Sequence, residues 1–278
     1  MLKVGMFTSG YQRNPLEHCF MDAKEYGYDY IELWGGRPHA YAPDLKVGDI
    51  NEVRRLIEKY EMPVLGYTPE HNAYPYNYMI GSEAQRRDAV DYLKLSLEMA
   101  KEMGAEFVLT SPANGGYLAT YDQLWSRLEK NIQELGDYAA KLEIKLVVEA
   151  LTPYESNFFT RANDLVELFR RVDNPYVVGM CDIVPPFVQH ESIMAYFDKL
   201  GNKMDHMHII DGENGSDTHM IPGEGNIPIK EMLYEMKRIG YDKTATLELV
   251  TNYINEPRFY AKRAIDNMRE LMAEAGIV

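Results

Sequence analysis

Short apolar runs recur eight times along this chain, and each is followed by a longer segment in which acidic and basic residues interleave with Leu, Met and Tyr. The runs are LKVGMFT (2–8), YIELW (30–34), PVLGYT (63–68), EFVLTS (106–111), KLVVEAL (145–151), VVGMCDI (177–183), DHMHII (205–210) and TATLELV (244–250). They read as strands, and segments such as 83–103, 121–141 and 256–273 read as amphipathic helices. Three junctions, YGYDYIEL, MGAEFVLT and IGYDKTATLEL, repeat one pattern: Gly27, Gly104 or Gly240 where a helix needs a left-handed cap, then a strand. Eight strand–helix units favour the α/β class and a single closed (β/α)8 TIM barrel over an open doubly wound sheet. The 278 residues suit a barrel of roughly 250. With no Pro/Ser-rich linker or low-complexity stretch, residues 1–278 are expected to form one domain.

Bulk properties remove several function classes. No apolar run approaches the ~20 residues that cross a bilayer, and the start MLKVGMFTSG lacks the features of a signal peptide. Cys19 and Cys181 form neither a CxxC pair nor a zinc-finger spacing, so a reduced, cytoplasmic setting is expected. With 29 basic against 43 acidic residues the net charge is -14, which repels phosphate backbones, so no nucleic-acid or membrane partner is expected.

The chemistry-bearing residues gather at strand ends. Glu149 ends the fifth run, Asp182 the sixth, His206 and His208 the seventh and Glu248 the eighth. In a barrel these ends converge, and converging carboxylates repel unless a positive charge sits between them. Glu149, Asp182, His208 and Glu248 are therefore read as ligands of one divalent metal ion; the oxygen-rich set suits Mn²⁺ or Mg²⁺, with Co²⁺, Fe²⁺ or Zn²⁺ also accommodated. His206, two residues before His208, is expected one layer deeper. A single strand-end acid is more often a solvated side chain or a capping partner, and it is the four together that argue for a site. Two irregular loops, 69–82 and 211–228, fall on the same face. The segment YTPEHNAYPYNYM, which runs from the end of the third strand into the first of these loops, brings His71 and the tyrosines Tyr67, Tyr74, Tyr76 and Tyr78, whose composition suits a substrate wall. His39 also lies on that face, whereas His18 and His190 suit surface or capping roles. Cys181 is expected in strand–helix packing, and PGEGNIP (222–228) is not a phosphate cradle.

This acid and histidine set resembles the sugar isomerase/epimerase superfamily, which includes the ketose 3-epimerases and endonuclease IV. WGGRPHAYAPDL, GYTPEHNAYPYNYM, EALTPYESN, YFDKLGNKMDHMHIID, SDTHMIPGEGNIP and LELVTNYINEPRFYA resemble more closely its ketosamine 3-epimerase branch. The resemblance implies a metal-dependent epimerase that inverts C3 of an Amadori sugar, interconverting fructoselysine and psicoselysine through an enediolate. It also implies that Glu149 and Glu248 are the acid/base pair as well as metal ligands, that Glu155 holds the C1 end of the substrate, and that the protein is a homo-oligomer. Asp217 and His219 are similar to the zinc-binding Asp-x-His of endonuclease IV, but the other zinc histidines are missing, so they are expected to shape the substrate pocket. Arg37 is expected to meet the substrate's carboxylate. Pro185 stands where ketose epimerases carry a substrate-binding His. The alternatives are a free-ketose 3-epimerase, an aldose–ketose isomerase, an abasic-site nuclease, disfavoured by charge, and a non-catalytic barrel.

Overall fold

A computed structural model describes residues 2–72 and 75–277. In chain order it comprises β1 (Lys3–Phe7), α1 (Leu16–Tyr26), β2 (Tyr30–Gly35), α2 (Ile50–Tyr60), β3 (Val64–Pro69), α3 (Glu83–Met103), β4 (Phe107–Thr110) and α4 (Tyr121–Leu142). There follow β5 (Lys145–Val148), α5 (Ala162–Arg171), β6 (Val177–Asp182), α6 (Met194–Leu200), β7 (Met204–Ile209), α7 (Ile229–Ile239), β8 (Thr244–Leu247) and α8 (Pro257–Glu274). Short helical turns decorate the loops, among them Val184–Val188 after β6. Every strand pairs in parallel with the next, and β8 returns to β1, so the eight strands form the closed barrel expected.

Side chains alternate across each strand, and this decides what faces the axis. In β5, Leu146 and Val148 join the large outer core against the helices, while Val147 joins an inner cluster with Tyr30, Leu65, Phe107, Leu109, Val178 and Met180. Continuing the period from Val147 turns Glu149 inward. The same count from Val178 and Met180 turns Asp182 inward and leaves Cys181 in the outer core. In β7, Met207 and Ile209 face outward, so His206 and His208 face in. In β8, Ala245 and Leu247 face outward, so Thr246 and then Glu248 face in.

β5 and β8 stop at Val148 and Leu247, shorter than the apolar runs suggest. Glu149 still donates its backbone N–H to the Thr110 carbonyl at 3.0 Å, after which the chain leaves the sheet at Thr152-Pro153. The two glutamates thus sit on the rim. Gly27, Gly104 and Gly240 cap α1, α3 and α7 in the left-handed conformation, as expected. Ser82 with Gln85, and Thr120 with Gln123, form capping boxes at the starts of α3 and α4. Among the described residues no helix is long and apolar enough to cross a membrane.

Candidate active site

A cavity of about 250 Å³ opens at the C-terminal end of the barrel, and Glu149, Glu155, Asp182, His208, His219 and Glu248 lie on its wall. Phe7, Leu109, Leu151 and Val250 supply apolar surface, and Trp34 with Glu70 forms one side. The Trp34 Nε1–H donates to Glu70 Oε2 at 2.6 Å, which fixes that carboxylate at the edge of the cavity.

Three sets bring their donor atoms within 4.8 Å of one another: Glu149, Asp182 and His208, and Asp182, His219 and Glu248, which overlap on the cavity wall, and Glu32, His206 and His208 beneath it. His208 Nδ1 lies 3.3 Å from Glu248 Oε2 and 3.9 Å from Glu149 Oε1. His219 Nε2 is also 3.3 Å from Glu248 Oε2, and its Nδ1 is 2.7 Å from Asp217 Oδ1. His219 therefore comes closer to the acids than a pocket-shaping residue need do, and Asp217 acts through it. Asp182 Oδ1 accepts the Val184 N–H at 2.8 Å, the start of the short helix that also buries Pro185. Glu155 Oε2 accepts from the Thr152 hydroxyl and N–H at 2.8 and 3.2 Å.

Burial and crowding divide these acids. Burial raises the Glu149 carboxyl well above its ordinary range, and Asp182 and Glu248 add to the shift against the pull of His208. Burial, followed by Glu248, raises Asp182 to about 7. Glu155 is raised too, again chiefly by burial. Burial opposes ionisation of Glu248, but His208 and His219 hold it at about 2. Burial likewise disfavours the His219 cation, yet Asp217 and Glu248 raise it to about 11. The histidines thus offset part of the carboxylate charge, and a divalent cation among these acids would offset more of it. His208 Nδ1 and Glu248 Oε2 are buried, face each other and have no hydrogen-bond partner. Orphaned donor atoms of this kind, in a mixed oxygen and nitrogen set, fit a metal.

Glu32, in the middle of β2, escapes a reading focused on strand ends. It is fully buried below the cavity, with Oε2 3.0 Å from His206 Nε2 and Oε1 3.1 Å from His208 Nε2. Burial alone would raise its carboxyl, but His208 and His206 hold it well below the usual range. The available signal was a lone carboxylate on the inward face of an apolar run. His206 is one layer deeper, as expected, with Nδ1 2.8 Å from Thr244 Oγ1.

Several expected substrate contacts lie elsewhere. Tyr67 is buried in the outer core and its hydroxyl donates to the Ala40 carbonyl at 2.7 Å, because a buried phenol must find an internal acceptor. Arg37 is exposed, paired through Nε with Asp44 Oδ2 at 2.6 Å and stacked over Tyr41, and does not line the cavity. The tyrosine wall is packing: Tyr76 stacks on Tyr92 with ring centres 3.9 Å apart, and Tyr78 donates to the Ser111 carbonyl at 2.7 Å. Tyr74 lies outside the described residues. His71 does line the cavity, but both ring nitrogens are bonded to protein. His39 bonds the Asn14 carbonyl at 2.8 Å, away from the cavity.

A closed parallel barrel with an acid and histidine cluster at its C-terminal mouth defines the class, and the chain belongs to the xylose isomerase-like TIM barrel family, whose profile matches residues 20–271. The proteins it is similar to include named epimerases. The chain is 50% identical over 273 residues to fructoselysine 3-epimerase of Shigella flexneri, covering 98% of this chain and 99% of the relative. The resemblance read from the motifs is thereby borne out. D-psicose 3-epimerase of Clostridium cellulolyticum, solved with D-tagatose, superposes with a TM-score of 0.79 at 17% identity, covering 98% of this chain and 99% of that one. The apo form of 3-keto-D-glucoside 4-epimerase from E. coli superposes with a TM-score of 0.81 at 16% identity, covering 98% and 100%. At those identities the likeness is one of fold.

Proposed function

We propose that this chain is a metal-dependent fructoselysine 3-epimerase, interconverting fructoselysine and psicoselysine. The observation that carries this reading is the end-to-end 50% identity to an enzyme of that name. Glu149, Asp182, His208 and Glu248 would hold the metal, Mn²⁺ by preference, with His219 as a neighbouring donor. A divalent cation bound there supplies positive charge that stabilises the negative charge developing on the sugar's C2 and C3 oxygens.

Glu149 and Glu248 come from strands on different sides of the barrel, the arrangement required to address both faces of C3. One carboxylate removes the C3 proton as that C–H electron pair forms the C2–C3 double bond of the enediolate. The other, already protonated, delivers its proton to the opposite face as the C2 carbonyl re-forms, so protons and electrons balance without a redox partner. Glu155, fixed by Thr152, would accept a hydrogen bond from the C1 end of the substrate. Phe7, Leu109 and Val250 keep water from the exchanging proton.

Charge favours the aminated substrate. The cavity wall carries five carboxylates, Glu70, Glu149, Glu155, Asp182 and Glu248, and among the described residues lining it there is no Lys or Arg. Such a wall rejects sugar phosphates and welcomes an ammonium, and Glu70 beside Trp34 offers an anion and an aromatic face together. The homo-oligomer is proposed on the same footing: the exposed Tyr117 and Leu118 provide apolar surface for contact with a second copy.

The test is chromatographic conversion of fructoselysine by the Mn²⁺-loaded protein. Psicoselysine should form, EDTA should stop it, and Glu70→Gln should raise KM for fructoselysine about tenfold, the value of one charged hydrogen bond, while leaving turnover of free ketoses unchanged. Conversion of fructose or tagatose but not of fructoselysine would reassign the protein to the free-ketose epimerases.

A further inference from the structure

Glu32 does not line the cavity described above, yet it is a carboxylate at zero exposure in the middle of the barrel, a costly place for a charge. Its partners account for it. Oε1 accepts from the Thr68 hydroxyl at 2.5 Å and from His208 Nε2 at 3.1 Å, and Oε2 accepts from His206 Nε2 at 3.0 Å. An ionised carboxylate only accepts, so both imidazoles must present Nε2–H to it. For His208 this has a consequence at the far side of the ring. With the proton held on Nε2, the neutral imidazole has its lone pair on Nδ1, the buried atom without a hydrogen-bond partner that lies 3.3 Å from Glu248 and 3.9 Å from Glu149.

We infer that Glu32 is a positioning residue: through the Nε2–H of His208 it fixes the tautomer and ring orientation that aim the Nδ1 lone pair at the proposed metal. His206 completes the arrangement. Its Nδ1 is engaged by Thr244 Oγ1, so it joins Glu32 to β8 instead of offering a second ligand to the cavity. The carboxylate–histidine pair thus ties β2, β3, β7 and β8 together beneath the site, and its effect on the reaction passes entirely through His208.

This inference rests on the metal-site reading, and its test is made in metal binding so that it stands apart from the epimerase assignment. Glu32→Gln keeps the size, but its amide cannot accept from both imidazoles. The full-length variant should bind Zn²⁺ or Mn²⁺ about 10- to 100-fold more weakly than the parent in a chelator competition, with an unchanged far-ultraviolet circular dichroism spectrum. If the variant does not fold, the parent protein still decides the matter. In ¹⁵N-labelled, Zn²⁺-loaded protein the histidine spectrum should show His208 coordinated through Nδ1 and protonated at Nε2. Coordination through Nε2, a variant affinity within twofold of the parent, or a second equivalent of metal lost in the variant would each overturn the inference. Metal binding with the expected pattern but no turnover of fructoselysine would reject the functional assignment and leave the role of Glu32 standing.

Discussion

At the scale of single residues, His71 belongs to the cavity wall and to the core at once. Its Nδ1–H donates to the Pro69 carbonyl at 2.7 Å, and its Nε2 accepts from the Thr110 hydroxyl and the Ser111 N–H, each at 3.0 Å. Burial lowers its pKa to about 4, so it is neutral in the folded protein, whereas in the unfolded chain it titrates at about 6.5. The unfolded state therefore binds the proton more readily. The contribution of His71 to stability is complete above pH 6.5 and is lost as pH falls through 4, in total about 3 kcal/mol at 1.36 kcal/mol per pH unit. Urea unfolding at a series of pH values should give a shallower loss between pH 6.5 and 4 for His71→Gln than for the parent, and equal slopes would contradict this. The residues that could be read from the sequence are those whose direction follows from strand period alone: Glu149, Asp182, His208 and Glu248. Tyr67 and Arg37 could not be read, because their partners, the Ala40 carbonyl and Asp44, depend on the path of the loop after β2. Glu32 was visible, but a mid-strand acid acquires meaning only when β2 and β7 are known to face each other across the barrel.

At the scale of elements, strands and helix ends carry local signals and loops do not. The helix Glu83–Met103 falls where its charge pattern and Gly104 put it. Two other helices end in the left-handed conformation without glycine: Glu61 after α2 and Glu143 after α4 take φ of 47° and 53°. A β-carbon in the left-handed region costs roughly 1 kcal/mol, and Glu143 is exposed, so Glu143→Gly should stabilise the protein by about 1 kcal/mol. Denaturant unfolding would check this, and a variant less stable than the parent would show that the Glu143 side chain contributes more than the strain it carries. The loop 69–82 was legible as a loop and misread as a wall. Three tyrosines among turn residues give composition, but whether a ring faces solvent, ligand or core is decided by tertiary neighbours such as Tyr92 and Ser111.

At the scale of the whole molecule, closure of β1 against β8 makes every site residue a neighbour of another. This contact between the two ends of the chain also supports the proposal that residues 1–278 form one domain. At the opposite mouth, Asp205 is held by Lys145 and Lys243 at 2.7 and 2.8 Å, so lysines hold the acid below, while the only basic groups that the acids above meet among the described residues lining the cavity are histidines. The -14 net charge has the same sign as the cavity wall, in keeping with an uncharged or cationic sugar as substrate. The central claim is that Glu149 and Glu248 exchange a proton at C3 with metal bound between them. It is tested most directly by incubating the Mn²⁺-loaded protein with fructoselysine in D₂O and following C3 by NMR. Deuterium should enter at C3 as psicoselysine appears, and neither should occur after EDTA treatment or in Glu149→Gln and Glu248→Gln. Epimerisation with no solvent deuterium at C3, or undiminished exchange in either glutamine variant, would contradict the account.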